Sequence, residues 1–309
     1  MPVSTPLQYI TIAESDWLAR RATHERRVRE WTDPHQARQA RGEKHPVEDF
    51  LFEYYRFRPS WLRRWHPGPD IVLRGEAARE YLRWPEYHEC DEGVALNPQA
   101  FDPARRATLI WLRQLLQATA TRPPQFACFG LHEWAMVYRQ TPGEVRHHAW
   151  PLRFPAEELA RIVEAQPVRC SHFDAFRFFT PAARPLNRLQ PERATSVDFE
   201  QRGCLHANMD LYKWAFKLAP FTPSELIADC FAFARDIREV DMRASPYDFR
   251  ALGYTPIAIE TSAGRAEYES HQRTFAERSQ PLRARLLALS ERLLAAAATA
   301  PAELRSTQS

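Results

Sequence analysis

GCLHANMDLYKWAFKLAPF, residues 203–221, reads as one helix, opened after Gly203 and stopped by Pro220. Wound at about 100° per residue, it carries Leu205, Met209, Tyr212 and Phe216 on one flank and Ala207, Leu211, Trp214 and Leu218 on the other. Between them runs a narrow stripe of His206, Asp210, Lys213 and Lys217. A helix apolar almost all round is a buried helix. The spacing therefore predicts a central, nearly enclosed element whose stripe lines an interior cleft; the alternative is a partly exposed helix with a short charged edge. Thr222-Pro223-Ser224-Glu225 follows as a capping box with proline at the first helical position, which predicts a second helix to about Arg243. Its core stripe is Leu226, Cys230, Phe233, Ile237 and Val240. An acidic line of Glu225, Asp229, Asp236 and Glu239 runs beside it, either a solvated face or a counter-surface for Lys213 and Lys217.

Ser15 caps a predicted helix from Asp16 to about Glu30, and a second starts at Asp33-Pro34. HPVEDFLFEYYRFRPSWLRRWHPG, residues 45–68, interleaves aromatic and basic residues; Pro46 can start a helix that Pro59 ends. Such a segment either stacks a flat ring and holds phosphate, or packs a core with its arginines snorkelling. IVLRG and VALN read as short strands around a helical EAAREYLRW, and residues 103–120 and 157–165 read as helices. QFACFGLHEWAMVY, residues 125–138, is apolar except for His132 and Glu133. A buried carboxylate needs a partner, so Glu133 should have one, although adjacent helical positions point about 100° apart. VRCSHFDAFRFF reads as a strand with His172 and Asp174 on one face. TPIAIET is strand-like, and a long helical region over 263–298 should break near Pro281. The whole predicts a mainly α (α+β) single domain over residues 1–298 with a small sheet, and a flexible tail at 299–309.

The 309 residues, 44% of them hydrophobic, suffice for a substantial core. Against 25 prolines there are only 9 glycines, and no phosphate-loop pattern occurs. A net charge of +3 permits an anionic ligand without demanding nucleic acid. The five cysteines lack C-x-x-C spacing, which argues against a zinc knuckle or a disulfide framework. No signal peptide or stretch of 18 apolar residues is visible, so a cytoplasmic protein without membrane attachment is expected.

Polar residues stranded in apolar surroundings are Glu48, Asp49, His132, Glu133, His172, Asp174, His206 and Asp210. If they converge, His172, His206, His132 and Asp174 could hold a divalent metal (iron, manganese or zinc). A metal-free alternative uses Asp210, Asp174 or Glu133 with His206 for acid–base work, while Lys213, Lys217 or Arg177 holds an anion. HPVEDFLFEYYRFRP, CFGLHEWAMVYR, CSHFDAFRFFTPAARPLN, the central helix and ARDIREVDMRASPYD together resemble a bacterial family whose members are commonly described as 3-methyladenine DNA glycosylases. The resemblance covers most of the chain. It implies hydrolysis of an N-glycosidic bond in alkylated DNA, with Asp210 or Asp174 orienting water, Tyr54, Tyr55 and Trp65 stacking the extruded base, and arginines holding the backbone. Neither the glycine-rich hairpin of helix-hairpin-helix glycosylases nor a HEAT-like repeat is present, so no catalytic residue is carried over. The rival reading is a metal-dependent enzyme acting on a small anionic metabolite; a non-catalytic ligand-binding protein is the third.

Overall fold

A computed structural model describes residues 10–141, 143–144 and 149–299. In chain order its helices are α1 (Glu14–Ala40), α2 (Phe50–Tyr55), α3 (Pro59–Leu62), α4 (Arg106–Thr121), α5 (Leu131–Ala135), α6 (Ala156–Glu164), α7 (Phe173–Phe176), α8 (Ser196–Phe199), α9 (Leu205–Lys217), α10 (Ser224–Arg243) and α11 (Ser262–Thr299). Strands β1 (Ile10–Ile12), β2 (Ile71–Leu73), β3 (Tyr87–Cys90) and β4 (Gly93–Leu96) form one sheet in the order β1-β2-β4-β3. The fold is thus mainly α with a small sheet. No helix among the described residues is long and apolar enough to cross a membrane.

The chain forms two compact units. The first comprises residues up to Arg113, Tyr212–Ala232 and the chain from Ala284 on; the second comprises Gln114–Leu211 and Phe233–Arg283. Helices α4, α9, α10 and α11 each begin in one unit and end in the other. No linker signal separates them in sequence because the chain changes unit inside regular helices.

In the first unit β1 pairs parallel with β2, and β4 runs antiparallel to both β2 and β3. Gly93 has φ 146, and a Cβ there would lie 2.1 Å from the Leu73 carbonyl oxygen; only glycine allows this approach of β4 to β2. Trp17, Trp65 and Tyr81 form the aromatic centre. The two indoles stack at 6.3 Å, Tyr81 stands edge-on to both, and each polar end is satisfied: Trp17 donates to the Arg74 carbonyl, Trp65 to Glu225, and Tyr81 to the Trp65 carbonyl. Asp49, singled out as a polar residue in apolar surroundings, accepts from Arg38, from His35 and from the His45 amide.

Buried His66 lies 3.0 Å from the Tyr87 hydroxyl. Burial first, then the positive charges of Arg64, His24 and Arg83, pull its pKa down to about 4. The unfolded chain, with histidine near 6.5, therefore binds more protons than the folded chain between about pH 4 and 6.5, and stability is lost as pH falls through that window. In urea titrations, wild-type protein should lose about 2–3 kcal/mol more than His66→Gln between pH 7 and 4; parallel losses would show that His66 is not held neutral.

The boundaries differ from the sequence expectation in physically specific ways. Helix α1 runs straight through Pro34 because His35 and Arg38, just beyond it, are tied to Asp49. Helix α11 likewise continues through Pro281. Pro59 starts α3 instead of only closing a helix begun at Pro46, and α2 begins at Phe50. Residues 168–179 contain helix α7 rather than a strand, because the His172 imidazole accepts the Ala175 N–H and caps a helical turn. No strand forms over residues 255–261. Of the expected tail, residue 299 is the last of α11 and residues 300–309 lie outside the described residues.

Helix α9 is enclosed as its periodicity demands: Leu205, Met209, Leu211 and Trp214 are all buried. Its polar stripe changes character along its length. His206 and Asp210 are buried in the second unit, whereas Lys213 is half-buried and Lys217 exposed in the first. The acidic line of α10 meets arginines: Glu225 pairs with Arg20, Asp229 with Arg27 and Arg285, and Asp236 with Arg278.

Candidate metal centre

The second unit's core is built around α5. The chain enters it through Phe129 at φ 48 and Gly130 at φ 72, a left-handed pair that costs a bulky aromatic about 1–3 kcal/mol. At Gly130 a Cβ would sit 3.3 Å from the Ala244 side chain and 3.4 Å from the Tyr268 ring, so the turn is both left-handed and tightly packed. This strained entry aims His132 and Glu133 into the core. Helix α9 contributes His206 and α10 contributes Asp241.

One ligand atom from each of His132, Glu133, His206 and Asp241 lies within 4.8 Å of all the others, and all four residues are buried. His132 Nε2 and Asp241 Oδ1 are 2.9 Å apart. Both atoms are fully enclosed, and neither has a further hydrogen-bond partner. Buried polar atoms are normally paired. A separation of 2.9 Å suits a buried ion pair and equally two ligands of a shared cation. The His206 ring meets His132 edge-on at 4.4 Å. Arg238, one turn before Asp241, places its guanidinium 3.2 Å from Glu133 Oε1 and 3.2 Å from Asp241 Oδ2.

The electrostatics follow from two carboxylates facing one guanidinium. Burial raises the Glu133 pKa, opposed mainly by Arg238 and reinforced by the neighbouring charge of Asp241. For Asp241, burial pushes up, but His132, His206 and Arg238 outweigh it and hold the carboxyl ionised. For His132, burial pushes down and the Asp241 carboxylate more than reverses it, leaving the imidazole well above its usual range. His206 is driven well below its usual value by burial and then by His132, which keeps its ring neutral, the form that ligates metals. With both carboxylates ionised, one negative charge more than Arg238 neutralises is left in an enclosed site, to be met by a proton on His132 or by a cation.

A small cavity of about 10 Å³, lined among others by His132, His206, Arg169, Cys128, Cys170 and Cys204, adjoins the cluster. It has room for about one water-sized molecule. Burial raises the Cys170 and Cys204 pKa values, so these two line the space as neutral thiols. Arg169 has its Nε enclosed without a hydrogen-bond partner. Beside the cluster, His172 stacks 5.5 Å from His206 and points Nε2 at Asp210 Oδ2, 3.3 Å away, and at Glu200 Oε1, 3.6 Å away. Because His172 Nδ1 accepts the Ala175 N–H, the ring proton sits on Nε2, facing these carboxylates.

No protein-family model, curated protein or solved structure matches the chain.

Of the residues singled out in the sequence, the structure brings His132, Glu133 and His206 together, with His172 and Asp210 alongside. Glu133 has its partner in Arg238, and it shares the cluster with His132 even though the two are adjacent in sequence, because the longer glutamate side chain reaches round the short helix. Asp174 does not join them: with α7 helical, it turns away from His172 and pairs with Arg177 at 3.3 Å. Arg177 also lies over the Phe178 ring. Tyr54, Tyr55, Trp65, Lys213 and Lys217 belong to the first unit. There Trp65, expected to stack a ligand, is instead a core residue stacked on Trp17, Tyr54 and Tyr55 join an aromatic ladder with Phe50 and Phe57, and both lysines lie over Trp214. Asp241 and Arg238 were missed. The available signal was the position of Asp241 on the Cys230, Ala234, Ile237 stripe of α10, where a charge has no place unless it is paired.

Proposed function

We propose that this chain is a metal-dependent enzyme. His132, His206, Glu133 and Asp241 would hold a divalent ion of the iron, manganese or zinc class, and a small anionic substrate would be steered by Arg169. The observation that carries the reading is the convergence of four buried ligand atoms, one each from His132, Glu133, His206 and Asp241, within 4.8 Å of one another. Two imidazoles and two carboxylates suit these ions, which supply Lewis acidity and lower the pKa of a bound water. The chain's own residues do the rest: Arg238 fixes both carboxylates, the cavity beside His206 admits one water-sized reactant, and His172, its ring stacked 5.5 Å from that of His206, is placed with Asp210 to hold a proton. Purified protein analysed for metals should contain close to one ion per chain and release it to chelator. Protein free of metal, and as stable with chelator as without, would reduce the cluster to a buried His132–Asp241 ion pair.

The second reading, hydrolysis of an N-glycosidic bond in alkylated DNA, is favoured by that same His172–Asp210 pair, because a histidine-oriented aspartate can position water. Methylated DNA incubated with the protein should then release 3-methyladenine; no release, together with no salt-dependent DNA binding, would remove this reading.

A further inference from the structure

The first unit holds a cavity of about 380 Å³ whose walls include Phe57, Trp61, Phe216, Arg64, Arg105 and Lys217. The volume falls within the roughly 300–1,000 Å³ of small-molecule sites. Three of its rings share one orientation: Phe57 and Phe216 stack at 4.0 Å within 8°, and Trp61 stands parallel to Phe216 within 4° at 6.5 Å. Trp61 is 48% exposed, one of two large hydrophobic side chains on the described surface, and Arg58 and Arg64 flank its ring. A flat ligand laid on this indole would lie parallel to both phenyl rings.

The charge is as telling as the rings. Against the single carboxylate of Glu86 the cavity sets Arg64, Arg105 and Lys217. Arg64 and Trp84 also line a second cavity, of about 390 Å³, where Arg83, Arg21 and Arg63 face Glu25 and Glu80. There Arg21 and Arg63 are held by Glu80 and Asp33, while among the described residues no carboxylate bonds Arg64 or Arg83. Stacking rings beside several cations match a ligand with a flat heterocycle and a multiply charged anionic group, which a monocarboxylate does not supply.

We propose that this aromatic–basic cavity is a nucleotide-binding site, with the base on Trp61 and the phosphate on Arg64, Arg105 and Lys217. The site is independent of the metal centre and of the reaction proposed for it. The nucleotide can come from a free mononucleotide or from a single strand, and the two sources separate experimentally. Trp61 and Arg64 are both on the surface, so Trp61→Ala and Arg64→Ala should leave the fold intact, which circular dichroism checks. Binding of 5′-AMP, adenosine, inorganic phosphate and an eight-residue oligodeoxyadenylate is measured by calorimetry on the full chain. Trp61→Ala should weaken 5′-AMP or oligonucleotide binding about 10-fold or more. Arg64→Ala should weaken both to a similar degree while leaving adenosine unaffected. If 5′-AMP binds as tightly as the oligonucleotide, the ligand is a free nucleotide; a tighter oligonucleotide that weakens with salt identifies a strand. Binding of neither below about 1 mM, inorganic phosphate binding as tightly as 5′-AMP, or folded variants that bind undiminished would overturn the proposal.

Discussion

His206→Ala protein is expected to emerge from purification essentially without metal, whereas His172→Ala protein keeps its ion. Both histidines are buried, with their rings stacked 5.5 Å apart in the same core, so a generic loss of packing would affect them alike. Only His206 offers a nitrogen within 4.8 Å of ligand atoms on His132, Glu133 and Asp241. His172 directs its protonated nitrogen at Asp210 and Glu200 instead. Loss of an outer-shell partner already weakens metal binding about 10–100-fold, so loss of a direct ligand should cost roughly 100-fold or more. Because His206→Ala also leaves a void beside the small cavity, Glu133→Gln is the companion variant: it keeps the volume and removes the anionic ligand. Metal content measured on both, with circular dichroism to confirm folding, decides the matter. Equal retention by His206→Ala and His172→Ala, or full retention by Glu133→Gln, would move the ion elsewhere or remove it from the account.

The contrast between these two histidines also shows what the sequence could and could not convey. The enclosure of α9 and the start of α10 were legible because long amphipathic periodicity and a capping box are local signals, strong over a dozen residues or more. The charged stripe of α9 marked His206 and Asp210 correctly as buried polar residues, but its last two members, Lys213 and Lys217, lie at the solvent end. Between Cys170 and Phe179 the segment is so densely apolar and aromatic that a period of 2 and a period of 3.6 fit it equally well. There a single capping interaction, from the Ala175 amide to His172, decides for helix and separates His172 from Asp174. Neither Pro34 nor Pro281 ends its helix. An interior proline costs about 3 kcal/mol, yet α1 spans 27 residues and α11 spans 38, and tertiary anchoring beyond Pro34 outweighs the lost hydrogen bond. Asp241 escaped because an aspartate in an arginine- and glutamate-rich helix looks like part of a solvated face. Its register with Cys230, Ala234 and Ile237 reveals it as a core residue.

Arg238→Met should destabilise the protein by about 3–5 kcal/mol in the presence of chelator, the usual cost of stranding a buried charge, and by distinctly less in saturating metal. Arg238 is only 2% exposed and donates to both Glu133 and Asp241, so methionine fills most of the side-chain volume while withdrawing the one guanidinium that neutralises the pair. Without metal, two carboxylates then share an enclosed site with histidines alone, and the chain must either protonate Glu133 or admit water. With a divalent ion bound, the same carboxylates keep a counter-charge, and binding to the folded state alone adds stability in proportion to its saturation. Urea unfolding of wild type and variant, each with chelator and with manganese or zinc, gives four free energies and one coupling between arginine and ion. A loss that is the same in both conditions means that no cation reaches these carboxylates. Arg238→Lys refines the reading: one ammonium cannot reproduce the guanidinium's fork between two carboxylates, so stability with chelator should be recovered only in part, while metal dependence returns toward that of the wild type.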